Sequence, residues 1–202
     1  MCIRDREFVG VTVTDTYTIP YDGTYRILLV GAGGSGWISN TGGSVGSGIG
    51  SGGGGGFAMI HAMELSAGDT VAYTLGARTQ VGPGTDIPGQ AGGDSTVSIN
   101  GTQTLTAAGG GGGNIGVGGA GGAATGGDFR LDGQDGNINN VGATGGLGGL
   151  ATINPAGTDV IATYLGNLAS GNMGNGGISS TNAGSSTGNS AAVAIQGSGM
   201  TN

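Results

Sequence analysis

The chain has 202 residues, of which 53 are glycine and only 8% are charged; with no lysine and twelve acids its formal net charge is −7. That balance is hostile to nucleic-acid phosphates, which are held by neutralising lysine and arginine, and to anionic lipid surfaces, while no apolar run approaches the ~20 residues of a membrane-spanning helix. A single cysteine, Cys2, and a single histidine, His61, exclude an intrachain disulfide and a cysteine-based metal site.

Apolar residues are scarce enough to suggest disorder, but disorder also calls for high net charge. Here charges are few and the apolar residues cluster in short runs, so a folded domain is expected. Residues 1–6 (MCIRDR) resemble the translation of a sequencing-library adaptor joined to a coding fragment, and are set apart from the fold. If so, Cys2, Arg4 and Arg6 are not native, and natural sequence lies upstream.

Residues 7–107 read as the β-rich part. From Phe8 to Ile19 apolar and polar residues alternate, with Val9, Val11 and Val13 on one face and Thr12 and Thr14 on the other, the pattern of a half-buried strand. Pro20, Asp22 and Gly23 form a turn, and Thr24 to Val30 predicts a more buried strand. After a glycine-rich excursion, Phe57 to Leu65 and Thr70 to Leu75 read as a hairpin about the Ala67-Gly68-Asp69 turn. Ser95 to Ile99 and Thr102 to Ala107 form another about Asn100-Gly101, the strongest two-residue hairpin signal.

Residues 108–202 read as a glycine lattice with loops and a closing strand, continuous with the first part in one glycine-rich domain. Glycine falls on every third residue in two rows: Gly110, Gly113, Gly116, Gly119, Gly122, and Gly133, Gly136, Gly142, Gly145, Gly148, the second interrupted only by Asn139. Period three matches neither α-helix nor strand. It matches the extended left-handed helix of the polyproline II type, which has three residues per turn and no internal hydrogen bonds. A bare edge of hydrogens lets neighbouring backbones approach and bond to one another. Collagen's strict Gly-X-Y repeat and high proline content are missing, since there are four prolines. A leg of ~13 residues would run about 40 Å at ~3.1 Å per residue, but shorter legs folding back at the loops are expected. Val160 to Leu168 is apolar but too short to assign, and Ala191 to Gln196 predicts a closing strand. The fold class expected is all-β, a sandwich-like sheet joined to a bundle of polyglycine-II-type helices, with very little α-helix.

Several motifs fit a chemistry but lack its context. Gly31-Ala32-Gly33-Gly34-Ser35-Gly36 matches the dinucleotide-binding fingerprint, but the glycine-rich residues after it cannot form the helix that holds a pyrophosphate. Asp128, Asp132 and Asp135 offer oxygens to calcium, without the spacing or terminal glutamate of an EF-hand; a solvated acidic loop is the plainer reading. His61 shares the Phe57/Met59/Met63/Leu65 face of its strand, where a hydrogen-bonded or partly buried sheet histidine is expected, and Glu64 lies on the opposite face. No catalytic residue, cofactor or metal is indicated, and the chain is not expected to be an enzyme.

Three stretches carry a resemblance: IPYDGTYRILLVGAGGSG, GGGGGFAMIHAMELSAGDTVAYTLGA and GGDSTVSINGTQTLTAAGGGGG. A strand entering a glycine block, a glycine block entering a strand, and a GGDST strand running into glycines resemble the glycine-rich domains of bacteriophage tail fibres and tail-fibre adhesins, over most of Thr18 to Leu150. The resemblance implies a β-sandwich with polyglycine-II-type helices at a fibre tip, located on the virion. Its partners would be the rest of a tail fibre, which is a route to a trimer, and a bacterial surface glycan or outer-membrane protein. It implies receptor contacts from Trp37 to Ser47, Gln80 to Gly89 and Asp128 to Asn140, with 160–172 a receptor loop or a packing element. The residues singled out are Trp37, Asp86, Phe129, Arg130, Asp132 and Tyr164; aromatic and arginine side chains are the usual anchors of binding surfaces. Two rival functions remain at this point. One is a purely structural fibre or matrix module; the other is ice binding through Ala120, Ala123, Ala124, Thr125, Ala143 and Thr144 on the lattice.

Overall fold

The computed structural model describes residues 12–39, 48–82, 86–139, 176, 177, 179 and 186–197. The adaptor-like residues 1–6, the glycines at 142, 145 and 148, the stretch 160–172 and Tyr164 lie outside them. The described residues are all-β, with no helix among them.

Five strands make one sheet, in the order β1 (Val13–Thr18), β5 (Thr70–Leu75), β7 (Ser95–Ile99), β8 (Thr102–Ala107) and β9 (Ala124–Gly126). Four make a second, in the order β10 (Phe129–Leu131), β4 (Phe57–Leu65), β2 (Gly23–Val30) and β13 (Ala192–Gly197). The inward alternation of each strand supplies a shared core: Val71, Tyr73, Leu75, Val97, Ile99 and Leu105 from the first sheet meet Tyr25, Ile27, Leu29, Ile60, Val193 and Ile195 from the second. The closing strand expected at Ala191 to Gln196 is present as β13, paired antiparallel to β2. The Asn100-Gly101 hairpin is present too, with positive φ at both residues (49° and 80°), as a two-residue type I′ turn requires.

Two expectations need correction. β4 and β5 do not form a hairpin: β4 pairs with β2 and β10, whereas β5 pairs with β1 and β7. The Ser66–Asp69 turn carries the chain from one sheet to the other, beside the parallel crossing at 19–22. The two crossings hold each other, with Ile19 N donating to Asp69 O and Gly68 N to Ile19 O, both at 2.8 Å. His61 does not share one face with Phe57, Met59, Met63 and Leu65. Tyr25 pairs with Met63 and Ile27 with Ile60, so His61 and Ala62 together oppose Arg26 in a β-bulge. The bulge switches the inward set from Ala58 and Ile60 to Met63 and Leu65, and leaves His61 exposed.

The glycine segments extend the strands. Segment 31–38 continues β2 and 49–56 leads into β4, while 87–93 precedes β7 and 108–114 leaves β8. Segment 117–123 enters β9, 132–137 leaves β10, and 186–190 precedes β13. Their backbone amides are shared among neighbours with period three. Gly31, Gly34 and Trp37 donate to the carbonyls of Gly56, Gly53 and Gly50 at 2.9–3.0 Å. Ala32, Ser35 and Ile38 donate to Gly93, Gln90 and Ile87. Gly33 donates to the Asn189 carbonyl and Gly36 to Ser186 Oγ. Segment 49–56 repeats the scheme: Gly50, Gly53 and Gly56 bond to Asn114, Gly111 and Ala108, Ser51 and Gly54 to Asn137 and Gln134, and Gly52 to Gly177.

These neighbours touch backbone to backbone. A Cβ on Gly34 would sit 2.1 Å from the Gly111 carbonyl oxygen, and one on Gly110 would sit 2.0 Å from that of Gly53. Only hydrogen fits. The row from Gly110 to Gly122 is not one leg, because Gly116 (φ 69°) reverses the chain, and 108–114 and 117–123 run antiparallel, Gly111 N donating to Ala120 O. Segments from both sides of residue 108 interleave in this lattice.

Candidate functional site

Because each segment is rooted in a strand, the opposite ends of the segments lie together. Ile38 bridges Ile87, Ile49 bridges Ile115, Asn114 bridges Val117, and β11 (Ile138–Asn139) pairs with β3 (Ile49–Gly50). The connections 39–48, 81–87 and 114–117, and the chain beyond 139, therefore all depart from one end. β6 (Gln80–Val81) and β12 (Ser186–Thr187) pair along its flank.

At this end Ile38 and Ile49 are fully buried, and Ile115 (42% exposed), Val117 (60%) and Ile138 (51%) are not. Asp86 is exposed with a left-handed backbone (φ 52°), and its Oδ1 accepts a hydrogen bond from Ser39 Oγ at 3.2 Å. Its carboxylate thereby ties the 81–87 connection to the 39–48 connection.

The five of the six singled-out residues that are described do not converge. Trp37 belongs to this end but is not a loop side chain: its amide bonds to Gly50, it is 5% exposed, and its buried Nε1 has no hydrogen-bond partner. It plugs the lattice beneath the connections. Phe129 and Arg130 are not in a loop either. They lie on β10 opposite Met59 and Ala58, on the sandwich, where Phe129 packs edge-on to Phe57 at 6.1 Å. Asp132 caps Ala124 N at 2.8 Å. Among the five described, only Asp86 is both exposed and at the shared end.

The acids of 128–140 have a structural task. Asp128 Oδ2 accepts from His61 N, Asp132 Oδ1 from Ala124 N and Asp135 Oδ1 from Gly121 N; Asp94 Oδ1 does the same for Gly109 N. At these amides a carboxylate accepts where a carbonyl does elsewhere in the lattice, and such charge-assisted bonds are the stronger kind. The fingerprint-like stretch 31–36 is likewise spent, since each of its six amides is bonded within the chain. Burial, followed by the nearby Tyr25 and Tyr21 phenols, raises the Tyr17 phenol above its usual value; Tyr17 packs against the sandwich core.

Sequence reasoning passed over Ile115, Val117 and Ile138. The sequence does not separate them from Ile38 and Ile49, which also sit in glycine segments and are fully buried. No protein-family model matches the chain, and no curated protein does.

Proposed function

We propose that the chain is a bacteriophage tail-fibre tip domain in which a rigid glycine lattice presents loops to a bacterial surface receptor, a glycan or an outer-membrane protein. The glycine segments are then left-handed helices of the polyglycine II type. Supporting this is the return of each hydrogen-bond partner at every third residue, together with carbonyl oxygens placed where any side chain would begin. At ~3.1 Å per residue, an eight-residue segment stands about 25 Å out from the sandwich. The observation that carries the functional reading is that three connections and the chain after Asn139 leave from one end of that lattice, as expected for variable loops held on a rigid scaffold.

The test is loop replacement with adsorption to bacteria as readout. Replacing 39–48 with a Gly/Ser linker of equal length should abolish adsorption while leaving the melting temperature nearly unchanged. Arg130→Ala, on the sandwich, should leave adsorption intact. Adsorption surviving exchange of both 39–48 and 114–117 would overturn the reading.

One observation favours ice binding as a second reading, relocated from the lattice. Ala124 is buried, and Thr125 belongs to β9. The register instead aligns Thr14, Thr74, Thr96, Thr106 and Thr125 in one rank across all five strands, on the face turned away from the core. Thr16, Ala72 and Ser98 form the adjacent rank. Strands lie ~4.8 Å apart and alternate residues ~6.8 Å apart, so the hydroxyls make a regular, uncharged grid. Under this reading the protein shows thermal hysteresis and Thr96→Lys removes it; no hysteresis in the parent protein ends it.

A further inference from the structure

We propose that a cleft on the outer face of the four-stranded sheet binds a carboxylate-bearing sugar, with Arg26 holding the carboxylate and Gln196 and His61 fixing the hydroxyls. The cleft has a volume of 340 Å³ and is lined by Arg26, His61, Ala62, Gln196 and the edge of Tyr25, the small end of the ~300–1,000 Å³ range of ligand sites. It lies on the half of the sheet away from the glycine lattice, so it is separate from the loop-bearing end.

The cleft exists because of the bulge. Gln196 on β13 stands opposite Arg26 on β2, and Arg26 stands opposite the extra residue of β4, so three strands bring Gln196, Arg26 and His61 into one row. Bulges re-aim side chains and are enriched beside functional sites. Asp128 Oδ2 accepts the His61 amide at 2.9 Å and pins the bulge from the β10 side. Arg26 Nη2 lies 3.4 Å from His61 Nδ1, which orients the guanidinium along the row.

The chemistry of the row selects the ligand. A guanidinium matches a carboxylate through paired hydrogen bonds. Gln196 lines the cleft, and its Oε1 is covered and without a hydrogen-bond partner, an arrangement folded proteins avoid; rotation of the terminal amide would turn it to a ligand hydroxyl. One cation beside one neutral acceptor fits a monoanion bearing hydroxyls better than a phosphate dianion. The neighbouring Glu64, which takes the Thr24 hydroxyl, disfavours a second negative charge. The Ala62 methyl offers an apolar surface to the carbon face of a sugar ring.

The experiment is an NMR titration of the ¹⁵N-labelled chain with glucuronate, glucose, inorganic phosphate and hyaluronan. Saturable shifts of the Arg26, His61 and Gln196 amides are expected with glucuronate in the millimolar range, and none with glucose. Tighter binding of hyaluronan identifies a surface polymer as the source, and binding of glucuronate alone identifies the free sugar. Arg26→Gln should weaken binding about tenfold or more, and Gln196→Glu, which sets a like charge against the carboxylate, should weaken it as well. Absence of shifts with glucuronate, equal shifts with glucose, shifts with phosphate alone, or a folded Arg26→Gln or Gln196→Glu chain that titrates like the parent would overturn the proposal.

Discussion

Gly53→Ala is expected to destabilise the domain by more than ~4 kcal/mol, in the range reserved for exceptional lesions, and to leave little folded protein at 37 °C. The added Cβ would sit 2.0 Å from the Ala120 carbonyl oxygen and 2.5 Å from its carbon. Over-packing a core of side chains costs typically ~1–3 kcal/mol because rotamers and backbone yield. Here the obstacle is backbone that is itself hydrogen-bonded, Ala120 O accepting from Gly111 N at 2.7 Å, and it cannot yield without breaking the ladder. Gly82→Ala is the matched control. Nothing lies within 4 Å of its Cβ position and its φ is not positive, so alanine there should be neutral or stabilise by up to ~1 kcal/mol through the unfolded chain. Urea denaturation of the two variants decides the matter. Equal midpoints would mean that the lattice does not bear stability.

The contrast between these glycines marks what a sequence can reveal. Period three in the composition pointed to lateral backbone packing, and alternation located β2, β4, β5, β7, β8 and β13 within a few residues. Pattern specifies faces, not partners. The Phe57–Leu65 and Thr70–Leu75 runs look like a hairpin because a short turn joins them, but two crossings that bond to each other, at Ile19 and Gly68, send the chain to the other sheet. The face of His61 was likewise hidden, since a bulge depends on the register of two strands. Gly116 kept the every-third-residue row unbroken in sequence while reversing the chain in space, because a glycine serves as well in a left-handed turn as in a lattice. For the candidate site, Asp86 is exposed at the shared end, but Trp37 and Phe129 are not the loop side chains that the sequence suggested. Aromatic residues beside glycine blocks resemble loop anchors; in this fold Trp37 is buried at the far end of the lattice, and Phe129 packs on Phe57 at the seam where a segment meets its strand.

Phe57 occupies such a seam, and its removal should be the largest side-chain effect in the molecule. It is the first residue of β4 after segment 49–56, is fully buried, and joins Leu28, Val30 and Ala192 in an apolar cluster on the outer side of the four-stranded sheet, with Met59, Leu131 and Ala194 against it. Phe57→Ala should cost about 3–5 kcal/mol, the usual toll for a buried aromatic ring. Phe129, on the adjacent strand two residues before the Leu131 that pairs with Phe57, is 40% exposed and meets Phe57 edge-on with the ring planes at 69°. Phe129→Ala therefore removes a ring contact worth about 0.5–1.5 kcal/mol beyond its partial burial, and should cost well under half as much as Phe57→Ala. The pair also separates packing from recognition. A receptor anchor would lose adsorption with little change in stability, whereas a seam residue loses stability with adsorption intact at temperatures where the variant stays folded. Melting curves and cell adsorption measured on the same Phe129→Ala sample distinguish the two, and the ring contact to Phe57 makes the second outcome the expected one.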